Sequence, residues 1–260
     1  MGKFDGYLIC SDLDGTFRFG EDTVEINSKA VKYFTDNGGK FTFATGRMVP
    51  HFYECNLDKI MNAPAALCNG GIIYDFDKKK LIYEKRLDYT LGDFIDTIKS
   101  QLHPKGVMYP FYDFSPVETN MVNFENVDKL SSDIRNVKPI KIVCSFSNAD
   151  EADGFKKFAL DNKFFSDNYI SKSWSTGVEF NPMEATKGNA IRIIKDYVGN
   201  IHTSIGVGDY ENDISLIVKA DIGVAVGNAV EELKEVADMV IKPASEYAIR
   251  DLIQIIEKNL

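Results

Sequence analysis

Apolar and polar positions along this chain follow two rhythms. In the first third, short apolar runs at residues 7–10, 40–44 and 65–68 have the length and composition of buried strands. Between them, residues 27–37 place Ala30, Val31 and Phe34 on one helical face, with Asn27 as cap and Gly38-Gly39 as stop. Pro50 suits the first turn of a second helix running to about residue 62. Apolar runs at 72–74 and 81–83 flank Asp-Phe-Asp-Lys-Lys-Lys and predict a hairpin.

The last third resumes the alternation. Thr186 heads a helix carrying Ala190, Ile191, Ile194 and Val198; strands follow at 203–207, 222–226 and 239–241, with helices at 213–219 and about 230–237 between them. Ser245 is placed to cap a last helix with Ile249, Leu252, Ile253 and Ile256 inward. Alternating strands and helices predict a parallel sheet covered on both faces.

The middle differs. Residues 107–112, 119–124, 140–146, 169–174 and 178–181 form strand-like runs, with helices expected only near 91–102 and 150–161. Clustered strands predict an antiparallel α+β unit. The expected fold is therefore α/β: a doubly wound, mainly parallel Rossmann-like core with an inserted α+β domain. The expected division is 1–84 and 183–260 for the core and 85–182 for the insertion, with hinges near 83–87 and 181–185.

Composition narrows the function. The 260 residues are 44% hydrophobic, ample for a core, and carry a formal charge of −9 from 30 Lys+Arg against 39 Asp+Glu. That balance argues against a nucleic-acid surface, which needs a basic excess. No apolar stretch approaches a membrane span, and the first residues lack a signal-peptide layout. The cysteines (Cys10, Cys55, Cys68, Cys144) are scattered without metal-ligand spacing, so a reducing cytoplasm is the expected compartment.

Chemistry concentrates where strands end. The first strand runs into Asp12-Leu13-Asp14-Gly15-Thr16. Two carboxylates about 4 Å apart at an effective dielectric of about 20 repel by roughly 4 kcal/mol. A hard divalent cation removes that penalty, and oxygen ligands suit Mg²⁺. A polar turn after a strand fits the same residues. The second strand ends in Thr45-Gly46-Arg47, a hydroxyl, a permissive backbone and a cation at the sheet edge where ligands bind; taken alone, Thr45 fits better as the cap of a turn before Pro50. Lys187-Gly188 opens a helix, where a lysine can reach a phosphate or simply be solvated. Gly208-Asp209-Tyr210-Glu211-Asn212-Asp213 places two carboxylates four residues apart, able to converge on one cation or to cap a helix.

In this order and at these positions, Asp12-x-Asp14-Gly15-Thr16, Thr45-Gly46-Arg47, Lys187 and Gly208-Asp209-x-x-Asn212-Asp213 resemble the motifs of the haloacid dehalogenase superfamily of phosphohydrolases. The insertion after Asn69-Gly70-Gly71, ending before Pro182-Met183-Glu184-Ala185-Thr186-Lys187, resembles the cap of type IIB members, among them the Cof-like sugar-phosphate phosphatases. Phe17-Arg18 departs from the small aliphatic pair usual after the first motif.

The resemblance implies a phosphoric monoester hydrolase. Asp12 would be the nucleophile forming an aspartyl-phosphate, and Asp14 the general acid and base. Thr45, Gly46, Arg47, Lys187 and Asn212 would bind the substrate. Mg²⁺ would be held by Asp12, Asp209 and the backbone carbonyl of Asp14, with Asp213 orienting its waters. The expected partner is a small phosphorylated metabolite, not nucleic acid or membrane. In the α+β cap domain, Tyr109, Phe111, Tyr112 and Phe114 could stack on a ligand or form the cap's own core; His51, His103 and His202 receive no role. A phosphomutase or phosphotransferase would use the same intermediate, and a non-enzymatic phosphometabolite sensor would retain the scaffold without needing both Asp12 and Asp14.

Overall fold

A computed structural model describes residues 2–101, 106–112 and 121–259. From the start, β1 (Tyr7–Ser11), α1 (Glu21–Asp36), β2 (Lys40–Phe43) and α2 (Val49–Glu54) lead to β3 (Ala65–Leu67), β4 (Ile72–Asp75) and β5 (Lys80–Glu84). Then come α3 (Leu91–Ile98), β6 (Val107–Phe111), β7 (Val122–Asn123), α4 (Ser132–Arg135), β8 (Lys141–Ser145), α5 (Ala149–Asp161), β9 (Asn168–Ser171) and β10 (Gly177–Pro182). The chain closes with α6 (Lys187–Val198), β11 (Thr203–Gly208), α7 (Ile214–Lys219), β12 (Ile222–Ala225), α8 (Glu231–Val236), β13 (Met239–Val240) and α9 (Ala248–Asn259).

The core sheet has the order β13-β12-β11-β1-β2, every pairing parallel. Its strands are apolar on both sides because helices cover both faces. Ile9, Phe41 and Phe43 pack toward Val31, Phe34, Ile249 and Leu252 on one face; Leu8 and Cys10 pack toward Ile191, Ile194 and Leu216 on the other. This is the doubly wound arrangement expected from the sequence. β3 joins the edge of this sheet through a single parallel bridge, Ala44 to Ala66, and otherwise pairs antiparallel with β4, which pairs with β5.

The second sheet is antiparallel, in the order β7-β6-β8-β10-β9. Strand residues alternate between its two faces. Met108, Ile142, Cys144, Val178 and Phe180 pack with Phe94, Ile95, Ile98 and Phe155 in a separate core. The intervening residues Tyr109, Lys141, Val143 and Glu179 line a cavity shared with the carboxyl edge of the core sheet.

Some local expectations need correction. Asn27 does not cap a helix: α1 already begins at Glu21, and Asn27 lies buried inside it. Its amide donates to the Phe17 carbonyl (2.9 Å) and its oxygen accepts the Arg250 N–H (3.1 Å), tying α1 to α9. The polar first turn, Glu21 and Asp22, hides the true start from an apolar count. The helix after Pro50 stops at Glu54, and Asn56 follows with φ 53°, a left-handed stop. Ser245 sits in a short turn, Ala244–Glu246, and left-handed Tyr247 separates it from α9. Of the strand expected at 119–124, only Val122–Asn123 is a strand among the described residues; Thr119 and Asn120 lie outside them. No helix among the described residues is long and apolar enough to cross a membrane.

Candidate active site

Parallel pairing of β1 with β11 sets Ser11 opposite Val207, so Asp12 and Asp209 leave neighbouring strands at the same edge. The Asp12 N–H donates to the Val207 carbonyl (2.8 Å). Gly15 lies between these loops with φ 89°, and a side chain there would run into the Asp209 carboxylate. Beside it the Thr16 hydroxyl donates to Asp209 Oδ1 (2.8 Å).

Thr186 caps α6 by accepting the Asn189 N–H (3.1 Å), which fixes Lys187 at the first helical position. Lys187 is no solvated lysine: it is fully buried, and its Nζ donates to Asp12 Oδ1 (2.6 Å) and Asp213 Oδ1 (2.5 Å). The other Asp213 oxygen accepts the N–H groups of Asp209 (3.0 Å) and Tyr210 (3.2 Å). Carboxylate oxygens of Asp12, Asp209 and Asp213 all lie within 4.8 Å of one another.

One ammonium therefore faces three carboxylates. Burial pushes the Asp12 pKa well above the ordinary range; Lys187 opposes that, and Asp213 and Asp209 add to it. Asp209 is pushed up to about 6, first by burial and then by Asp213, against the pull of its Thr16 hydrogen bond. Burial disfavours the Lys187 charge, yet Asp12 and Asp213 outweigh it and raise its pKa. The cluster carries excess negative charge, offers oxygen ligands only and lines an open cavity through Asp12 and Asp209. A hard divalent cation fits that donor set.

Asp14 stands apart from the three carboxylates. Its side chain is 48% exposed and faces outward to Arg47, whose Nε and second terminal nitrogen meet its two oxygens at 2.7 and 3.1 Å. Arg18 approaches the same carboxylate at 3.3 Å. The carboxylate group that could hold a cation is thus Asp12, Asp209 and Asp213, without the side chain of Asp14. Thr45 accepts the Arg47 N–H through its hydroxyl (3.2 Å), so the local turn and a place at the cavity are both its own. Gly46, Arg47 and Asn212 line the same cavity, of about 590 Å³.

Three polar groups at or beside this cavity have no counterpart among the sequence-derived candidates. Lys141 and Glu179, on β8 and β10, form an ion pair (2.8 Å) whose side chains are 2% and 1% exposed. Asn69, which in the sequence simply ends a strand, donates its amide to Glu179 and accepts from Asn212 (3.2 Å). For the first two the sequence does carry a signal: a lone charge in an otherwise apolar strand. Tyr109, Phe111 and His51 also line the cavity. His202 lies elsewhere, its ring nitrogens near Thr203 and the Asp5 carbonyl. Phe114 and His103 fall outside the described residues.

Comparison with known proteins places the chain in a family. The family of haloacid dehalogenase-like hydrolases matches residues 9–253. A phosphoglycolate phosphatase of Sulfurisphaera tokodaii is 43% identical over 239 residues, covering 90% of this chain and 87% of that protein. The chain also matches a chloroplastic endoribonuclease of Arabidopsis thaliana at 26% identity; it is 95% covered there but spans only 46% of that relative's length. Among solved structures, a HAD/COF-like hydrolase from Plasmodium vivax superposes with a TM-score of 0.76 at 20% identity, covering 99% of this chain and 98% of that one. A subclass IIB sugar phosphatase superposes with a TM-score of 0.71 at 21% identity, covering 96% and 98%. The chain belongs to the haloacid dehalogenase-like hydrolases, with the fold of their Cof-like, subclass IIB members.

Proposed function

We propose that this protein is a Mg²⁺-dependent phosphatase of small phosphorylated metabolites, sugar phosphates first among them, working through an aspartyl-phosphate. The observation that carries the reading is the Lys187 ammonium held between Asp12 and Asp213 with Asp209 beside them. Such a cluster has a nucleophile, a fixed cation and room for a second one.

Asp12 attacks phosphorus, the bond to the leaving oxygen breaks, and Asp14 gives that oxygen a proton. Asp14 then takes a proton from the water that cleaves the aspartyl-phosphate. Lys187 opposes the effect of burial on Asp12 and so favours its ionised, nucleophilic form. Thr45, Gly46, Lys187 and Asn212 hold the phosphoryl oxygens as charge spreads over them. Arg47 grips Asp14 with a planar fork that suits phosphate as well as carboxylate, so it can orient Asp14 and meet the substrate in turn. Mg²⁺ held by Asp12, Asp209 and the Asp14 carbonyl, with Asp213 orienting its waters, would neutralise the acidic cluster and polarise the phosphoryl group. The inner face of the α+β cap, residues 85–182, would meet the leaving group and limit water.

The test is release of inorganic phosphate from p-nitrophenyl phosphate. Turnover with Mg²⁺, loss on exhaustive chelation and loss in Asp12→Asn are expected. Turnover that survives either treatment overturns the reading, and transfer of the phosphoryl group to a sugar without phosphate release would instead mark a phosphotransferase.

A further inference from the structure

The buried pair Lys141–Glu179 sits on the cap sheet, yet among the described residues its remaining side-chain hydrogen bonds go to the core. Lys141 Nζ donates to the Gly46 carbonyl (3.2 Å), and one Glu179 oxygen accepts from Lys141 (2.8 Å). The other Glu179 oxygen accepts the Asn69 amide, and the Asn69 oxygen accepts the amide of Asn212 (3.2 Å). A continuous chain of hydrogen bonds thus runs from Gly46 to Asn212, two residues assigned above to the phosphoryl group, by way of the cap.

The packing is built around this crossing. A Cβ at Gly46 would stand 3.2 Å from Lys141 Nζ and 3.3 Å from the Asn69 oxygen, tighter than ordinary contact, so the glycine lets both side chains approach this backbone without giving way. Cys68 and Asn69 both adopt left-handed backbone, φ 50° and 56°. Crowding at Cβ makes that conformation uncommon outside glycine, and asparagine is among the residues that tolerate it best. Here it aims the Asn69 side chain across the domain boundary. An amide has one donor end and one acceptor end. Glu179, which can only accept when ionised, therefore dictates which end of Asn69 faces Asn212.

We infer that Glu179 is a positioning residue: through Asn69 it orients Asn212, so that the phosphoryl-binding groups are set only when the cap is seated on the core. The inference rests on the phosphatase reading for its consequence, but the relay itself is testable without turnover. Moving the cap away would break the bonds to Gly46 and Asn69 while leaving Lys141 and Glu179 with each other.

Glu179→Gln should break the relay. With its oxygen toward Lys141, the substituted amide presents an NH₂ to the Asn69 NH₂; Asn69 must turn over, and its NH₂ then opposes that of Asn212. Adding Asn69→Asp to Glu179→Gln should restore it. The introduced carboxylate accepts from both the new amide and Asn212, and it returns the negative charge to the network. Two readouts are made on the full-length protein: kcat/KM with p-nitrophenyl phosphate and Mg²⁺, and hydrogen exchange of the Asn212 side-chain amide by NMR. Glu179→Gln should lower kcat/KM about ten-fold, the loss expected for about one hydrogen bond to a charged group, and speed exchange of the Asn212 amide by a similar factor. The double variant should recover most of both. If Glu179→Gln does not fold, Asn69→Gly, which tolerates the backbone and deletes the relay, should show the same two losses. Recovery absent in the double variant, or an Asn212 amide equally protected throughout, overturns the inference. If the wild type releases no phosphate, the phosphatase reading fails while the exchange pattern still decides the relay.

Discussion

Among the described residues two lysines, Lys141 and Lys187, are at most 2% exposed and lie against carboxylates, and they answer the cost of burial differently. Lys141 meets one carboxylate, Glu179, and among the described residues the further side-chain hydrogen bonds of that pair are to neutral groups, the Gly46 carbonyl and the Asn69 amide. Lys187 meets two carboxylates directly with a third nearby; burial raises the pKa values of Asp12 and Asp209, and the surplus of carboxylates raises them further. A balanced pair costs desolvation but is complete. An unbalanced cluster is incomplete in the fold itself, and a ligand of opposite charge can complete it. The difference separates a pair that fixes geometry from a cluster that waits for chemistry.

The sharpest test of that contrast is Asp12→Asn. It removes one negative charge from the surplus without emptying a packed volume, so turnover should fall on the order of 10⁴-fold or more while the thermal midpoint holds or rises. A midpoint that falls steeply would show that Asp12 is needed for the fold and that the cluster is balanced after all. Next in size are the two lysines themselves. Lys187→Met and Lys141→Met each leave buried carboxylate uncompensated, a loss of about 3–5 kcal/mol in urea unfolding. Mg²⁺ should return part of the stability of Lys187→Met, since it supplies positive charge to Asp12, Asp209 and Asp213, and none to Lys141→Met. Equal rescue of both variants would erase the distinction.

The same contrast explains which parts of the molecule are legible in the amino-acid sequence. The core strands can be read because they are buried on both faces and form continuous apolar runs: Leu8, Ile9 and Cys10 feed two different cores. Asp12, Thr45 and Asp209 stand out because chemistry in such a sheet gathers at strand ends, and Lys187 because it opens a helix, places the apolar pattern marks. Lys141 and Glu179 escape notice because they lie 38 residues apart within strands, and their meaning depends on register: Glu179 pairs with Val143, and only the antiparallel pairing brings Lys141 near. Asn69 escapes because its role lies in a left-handed backbone that a strand-ending Asn-Gly does not disclose. Asn27 misleads because a buried asparagine inside a helix looks, in sequence, like a cap.

A smaller effect sharpens the unbalanced side of the comparison. A carboxyl group whose folded pKa lies above its unfolded value binds protons more tightly in the fold, so stability falls as pH rises between the two. Asp209, at about 6 in the fold, makes the metal-free protein lose stability from about pH 4 to about pH 6, and Asp12 acts in the same direction. A cation competes with those protons. The rise in thermal midpoint on adding Mg²⁺ should therefore be larger at about pH 7 than at about pH 5, and it should shrink in Asp209→Asn. At 100 times its dissociation constant a ligand adds about 2.7 kcal/mol, enough to measure by scanning fluorimetry. A rise that is the same at both values would mean that the ion binds elsewhere.

A third acid–base contact, sharing no partner with Lys141 or Lys187, sets the lower end of the scale. Asp221 collects three donors on one oxygen: Lys195 Nζ (2.6 Å), the Ser204 N–H (2.7 Å) and the Ser204 hydroxyl (2.7 Å). Burial works against its charge, but Lys195 and Ser204 together hold its pKa down at about 2. Here the sign is reversed. Because the folded value lies below the unfolded one, the stabilisation is complete above about pH 4 and is lost as pH falls through about 2. The side chain is 46% exposed, so solvent screens the pair and its worth stays within about 1 kcal/mol. Asp221→Asn keeps an acceptor for the Ser204 N–H and gives up the ion pair. Its thermal midpoint should lie slightly below wild type at about pH 6, and the two should converge as pH approaches 2. A gap that persists in acid would mean that the carboxylate serves through shape and not charge, which would place this contact beside the balanced Lys141 pair and away from the charge-driven cluster around Lys187.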